Sequence, residues 1–186
     1  GRRLETRIED QLNTAVKPIS KIYELWCLGV LLEFFEEIYQ TSPDAGQIAG
    51  TYTITPDVTL LYNSSVYRYS NYLTSAFEVG AGRPDFALVV DDKLVWIGDA
   101  KSKSWDSLQL SDYQRFLTYI LDLLSVDQTG SILYAEKERP AQRQTVRDFE
   151  VQHVPLRPGG KQKAMKSLRD LLSPQLPAVP STPNQS

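Results

Sequence analysis

Apolar and polar positions follow two rhythms along this chain. Leu4, Ile8, Leu12 and Ala15 recur at helical spacing among charges, which predicts a surface helix over 2–16 ended by Pro18. Residues 19–40 predict a second, longer and more apolar helix, stopped by Ser-Pro-Asp-Ala-Gly at 42–46. Residues 47–79, rich in Thr, Tyr and Val, read as one or two strands and a long loop. The stretch PDFALVVDDKLVWIGDAK at 84–101 predicts a β-hairpin, two β-favouring runs around a charged turn. A helix from Ser111 to Leu124 follows, capped by Ser111 or Asp112. Strands are expected at 131–136 and 147–154, and an amphipathic helix at 161–172. Residues 173–186, with Pro174, Pro177, Pro180 and Pro183 among polar residues, read as a disordered tail. The order of elements implies one mixed α/β domain over 1–172, a sheet with helices on both faces.

Composition adds limits. The 186 residues are 41% apolar and 23% charged, ordinary for a globular chain, and the net charge of −3 carries no basic signature for coating nucleic acid. An enzyme with an acidic site stays compatible with that balance. One cysteine, Cys27, excludes an internal disulfide and a cysteine-built zinc site; it suits a core position and a reducing, intracellular (cytoplasmic) setting. The longest apolar run, Leu25–Leu32, is too short to span a membrane, so no membrane role is expected. No signal peptide is visible, and with Gly1 in place of a methionine the chain can be a piece of a longer one.

The hairpin carries the candidate chemistry. Strand side chains alternate faces. A three-residue turn, Asp91-Asp92-Lys93, pairs Val90 with Leu94, Val89 with Val95, Ala87 with Ile97 and Asp85 with Asp99, with Lys101 on the face of Asp99. A turn one residue shorter or longer sets Asp85 opposite Gly98 or Ala100 instead. Two facing carboxylates repel unless a proton or cation lies between them, and their oxygens suit Mg²⁺ or Mn²⁺. A lysine beside such an ion can orient its water or neutralise charge on a phosphate. Against this stands the plain reading of strand-end charges turned to solvent.

Glu24 is a third candidate. Glu33, Glu37 and Gln40 share a solvated face of the 19–40 helix, whereas Glu24 sits on the stripe of Leu28, Leu31 and Phe35. It either bends to water in the first turn of its helix or joins the acidic site. Gly80 and Gly82 lack the spacing of a phosphate loop and suit the entry to the hairpin; a nucleotide-handling enzyme built on them is a poor third reading. His153, the only histidine, alternates with Phe149 and Val151 and suits packing. Tyr62, Tyr67, Tyr69 and Tyr72 with Arg68 can stack on bases or simply pack. Lys93, Lys103 and Arg115 are the basic residues nearest the site and could hold phosphates.

Pro84-Asp85 followed by Asp99-Ala100-Lys101 resembles the signature of the PD-(D/E)XK nuclease superfamily. RPD at 83–85, DAKSK at 99–103, SDYQRFLTYI at 111–120, SILYAE at 131–136 and YELWCLGVLLE at 23–33 together resemble McrC-like nuclease domains of modified-cytosine restriction systems, over about residues 20–156. The segment Tyr-Ala-Glu at 134–136 departs from the usual Tyr-Pro, and 47–80 has no counterpart. The resemblance implies a restriction-endonuclease-like core, a central mixed four-stranded β-sheet flanked by helices. It implies Mg²⁺ or Mn²⁺ held by Asp85, Asp99, the Ala100 carbonyl and Glu24. Lys101 would be the motif lysine and Gln114 the helix glutamine, with Tyr113 and Tyr119 in support. The function it implies is hydrolysis of phosphodiester bonds, in DNA more than RNA, within a restriction or anti-foreign-DNA defence system and with a partner subunit or domain providing target recognition. The rival is a catalytically silent nuclease-fold module that binds nucleic acid or assembles a complex.

Overall fold

The computed structural model describes residues 2–72, 82–125, 128–136 and 139–177, with side chains described from Pro18 onward, that of Gln175 excepted. The chain begins with α1 (Arg2–Tyr39) and continues through β1 (Asp44–Ala45), β2 (Thr51–Thr55), β3 (Val58–Tyr62), β4 (Phe86–Val90) and β5 (Lys93–Lys101). Then come α2 (Leu110–Leu123), β6 (Thr129–Tyr134), β7 (Gln142–Val146), β8 (Phe149–Pro155) and α3 (Lys161–Leu172). The strands form one mixed eight-stranded sheet in the order β1-β2-β3-β4-β5-β6-β8-β7. Pairs β5–β6 and β6–β8 are parallel; the others are antiparallel.

The α/β class with helices on both faces is as expected, but the sheet has eight strands where four were predicted. The extra strands lie toward its edges. β7 reads Gln-Arg-Gln-Thr-Val and is almost wholly exposed, so it carries no apolar alternation to betray it. Residues 142–146 pair only with β8, through backbone hydrogen bonds that leave no mark on side-chain pattern.

α1 runs unbroken through Pro18, so the predicted break there is overturned. Proline removes one backbone donor and crowds one carbonyl, a local cost of about 3 kcal/mol. The helix after Pro18 is held by packing: Leu31, Phe34 and Phe35 are fully buried, each contributing about 1.5–3 kcal/mol. They pack with Phe86, Leu88 and Trp96 of the hairpin and with Leu168 and Leu172 of α3. The opposite sheet face, with Ala87, Ile97, Ile132 and Tyr134, is covered by Phe116, Ile120 and Leu123 of α2.

Glu33 and Glu37 do not face only solvent, as their helix pattern suggested. They pair with Lys161 (2.7 Å) and Arg169 (3.3 Å) of α3. The N-cap of α2 is Gln109, whose N–H donates to Asp112 Oδ2 (2.9 Å), so neither Ser111 nor Asp112 is the cap. Instead of a tail disordered from Ser173, residues Ser173–Gln175 form a 3-10 turn, and Leu176 packs on the core; 178–186 lie outside the described residues. Cys27 is buried, as its pattern predicted.

The hairpin reaches its expected alignment by another route. Its turn has two residues, Asp91 and Asp92, with φ of 49° and 61°, the left-handed values that a type I′ connection demands. Val90 therefore pairs with Lys93 and Val89 with Leu94. One extra residue, Val95, then bulges from β5, and Leu88↔Trp96, Ala87↔Ile97 and Phe86↔Gly98 follow. Continued by one residue, that register sets Asp85 beside Asp99.

Candidate active site

β5, β6 and β8 end together, with Lys101 beside Tyr134 and Tyr134 beside Pro155. Carboxyl ends of parallel strands are where ligand crevices open in α/β sheets. A cavity of about 270 Å³ lies there, lined by Ser20 and Glu24 of α1, Asp85, the segment Ala100–Lys103, and Asp112 and Arg115 of α2. Ser20 and Ser102 share a hydrogen bond of 3.0 Å that ties α1 to the end of β5.

Asp99 is 1% exposed and lies behind the cavity wall. Lys101 Nζ is 2.5 Å from its Oδ2 and Arg115 Nη2 is 3.4 Å from its Oδ1. The lysine contact is an ion pair without hydrogen-bond geometry, so Oδ2 is buried with a charge partner but no hydrogen bond. Gly98 precedes Asp99 because the Trp96 ring lies over it; a Cβ there would collide with the indole. That indole is fixed by a buried chain in which Trp96 Nε1 donates to Ser131 Oγ (2.8 Å), which donates to Gln152 Oε1 (2.8 Å).

Asp85 Oδ2 accepts the Ala100 N–H at 2.7 Å. Burial, and then the nearby Asp99 charge, push its carboxyl up to about 7, against the Ala100 N–H bond that favours the charged form. Lys103 pairs with Asp112 at 2.9 Å. Burial raises the Asp112 carboxyl, but the Gln109 N–H and Lys103 outweigh it and hold it below its ordinary value.

The structure thus brings Glu24, Asp85, Ala100, Lys101, Lys103 and Arg115 to one cavity, with Asp99 directly behind it. Glu24 lines the cavity and accepts Lys21 at 2.7 Å; because α1 begins at Arg2, it does not stand in a first turn bending to water. Gln114 is exposed and outside the lining, and its neighbour Arg115 enters in its place. Tyr113 stacks edge-on with His153, their ring centroids 5.9 Å apart. The Tyr119 hydroxyl meets the Arg83 carbonyl at 3.5 Å, and its ring packs against Gly82. Lys93 is at the far end of the hairpin. His153 is buried between Trp105 and Tyr113, with neither nitrogen hydrogen-bonded among the described residues. Gly80 lies outside the described residues.

Sequence reading placed Arg115 near the site but missed its contact with Asp99. The available signal was α2 itself: position 115 lies one turn before Tyr119 and three residues after Asp112, on the side of the helix that faces the end of β5.

Asp85 and Glu24 line the cavity with carboxylate oxygens, the donor type a hard divalent cation takes, while Asp99 lies behind them in contact with Lys101 and Arg115. Asp99 Oδ2 is taken by the Lys101 ammonium, whereas Oδ1 meets only the long Arg115 contact and is the oxygen such an ion could take. No three His, Cys, Asp or Glu side chains stand at metal-ligand spacing among the described residues. Two carboxylates with backbone and water oxygens are enough for Mg²⁺. No helix among the described residues is long and apolar enough to cross a membrane. Compared with known proteins, the chain matches no family model and no curated sequence.

Proposed function

We propose that this chain is a divalent-metal-dependent nuclease domain of the restriction-endonuclease-like type. The observation that carries the reading is the convergence of Asp85, Asp99 and Lys101 at one hairpin end, beside an open cavity and with Asp99 Oδ1 met only by a long contact from Arg115. The succession α1, β3–β5, α2, β6, with β6 parallel to β5, also supports it. Asp85, Asp99, the Ala100 carbonyl and Glu24 would hold Mg²⁺ or Mn²⁺. The ion would supply a Lewis acid and an activated water. Lys101 neutralises charge developing on the phosphate, and Asp85 tilts the balance between proton and cation at its own oxygens. Lys103 and Arg115 line the same cavity and would meet phosphate oxygens there. DNA in a defence setting is the substrate class the motif resemblance favours, with target recognition supplied by a partner.

The test is Mg²⁺- and Mn²⁺-dependent cleavage of single- and double-stranded DNA and RNA. Asp99→Ala and Lys101→Ala should each lower the rate by about 10²-fold or more. Unchanged cleavage in both variants removes the assignment. A second reading, a silent module of the same fold, is favoured by one observation: Lys101 and Arg115 already neutralise Asp99. A calorimetric Mn²⁺ titration separates the two, because a silent module takes up no Mn²⁺ in a manner that depends on Asp85.

A further inference from the structure

Two cationic side chains from different elements close Asp99 off from the cavity. Lys101 and Arg115 line the cavity, while Asp99 does not. The two are not equivalent. The Lys101 side chain is 10% exposed and sits on the same strand as its partner. The Arg115 side chain is 59% exposed and reaches Asp99 from α2 through one long contact of 3.4 Å. Arg115 has no other ion pair among the described residues, so it can leave Asp99 by a side-chain rotation with α2 in place.

We propose that Arg115 holds the place of the cation on Asp99, and that a substrate phosphate draws it away, so that cation and phosphate bind this site as a coupled pair. The inference rests on the nuclease reading above and concerns how its site loads. A guanidinium and a divalent ion compete for the same carboxylate, and their like charges repel. A phosphate offers a guanidinium two oxygens in matching geometry, a better partner than one 3.4 Å contact. Lys103, held by Asp112 at 2.9 Å on the same wall, gives the phosphate a second cation. Phosphate binding thereby frees Asp99 Oδ1, while Lys101 keeps Oδ2. By linkage the cation must favour the phosphate to the same degree. The arrangement keeps the metal site incomplete until nucleic acid arrives.

The experiment is a calorimetric titration of Mn²⁺ into the whole chain, with and without a phosphorothioate-linked DNA oligonucleotide that resists cleavage. An oligonucleotide-only blank is subtracted. Wild type, Arg115→Gln and Arg115→Lys are compared, each checked by circular dichroism for an unchanged fold. Wild type should bind Mn²⁺ about fivefold or more tightly with the oligonucleotide present. Arg115→Gln should bind Mn²⁺ alone about two- to fivefold more tightly than wild type and lose most of the oligonucleotide dependence. Arg115→Lys should keep that dependence in part. Unchanged or weaker Mn²⁺ binding by Arg115→Gln, or an unchanged oligonucleotide effect, overturns the coupling while leaving the metal site standing. Absence of Mn²⁺ binding by wild type in both conditions, or binding indifferent to Asp85→Asn, overturns the metal site itself and the coupling with it.

Discussion

Asp85 and Asp99 are near neighbours treated in opposite ways. Asp99 is buried but faces two cations, whereas Asp85 relies mainly on one backbone N–H and is pushed up to about 7 from an ordinary 3.8. A carboxyl raised on folding binds its proton more tightly in the native state. Its contribution to stability is therefore fully present below about 3.8 and is lost as pH rises through about 7. In the metal-free protein, thermal unfolding followed from pH 4 to 8 should show this loss, and Asp85→Asn should flatten the slope. An Asp85→Asn slope equal to wild type would mean that the proton is not held there. The period-two pattern of the hairpin made Asp85, Asp99 and Lys101 legible as one group. The contact of Arg115 with Asp99 was not legible, because the pairing of a helix residue with a strand residue depends on how α2 sits on the sheet.

The hairpin shows how two local departures can cancel. A two-residue turn alone would have set Asp85 opposite Gly98. The bulge at Val95 adds one residue to β5 and restores the alignment read from a three-residue turn. Deleting Val95 should consequently leave Leu88↔Trp96, Phe86↔Gly98 and the site in place. The expected cost is about 1–2 kcal/mol of lost packing, read by chemical denaturation, with Mn²⁺ binding retained. Gly98→Ala should do more harm to the site although it deletes nothing. Its methyl must displace the Trp96 indole, at about 1–3 kcal/mol, and the indole anchors the strand that carries Asp99. A Gly98→Ala protein as stable as wild type would show that the ring can move aside. α1 teaches the converse lesson about punctuation: Pro18 marks a helix end by propensity, yet the helix continues because packing beyond it outweighs one lost donor.

The molecule as a whole is clasped by its two ends. α1 and α3 cover the same sheet face, joined by Leu168 and Leu172 packing against α1 and by Glu33–Lys161 and Glu37–Arg169 at the rim. The apolar contacts should dominate. Leu168→Ala is expected to cost about 2–5 kcal/mol, whereas a double-mutant cycle on the half-exposed Glu33–Lys161 pair should give about 1 kcal/mol or less. A coupling energy above that range would make the ion pairs structural. By itself, the sequence determined the α/β class, the hairpin, the helix at 161–172, and the acidic and basic residues available for chemistry. These follow from side-chain periodicity, which is local. Only the tertiary structure decided that the sheet has eight strands, since backbone pairing of polar edge strands leaves no periodic signal. It alone decided that Glu24 and Arg115 share a cavity with Asp85, and that Lys101 and Arg115 seal the buried Asp99, because those meetings depend on where α1 and α2 come to rest at the end of β5.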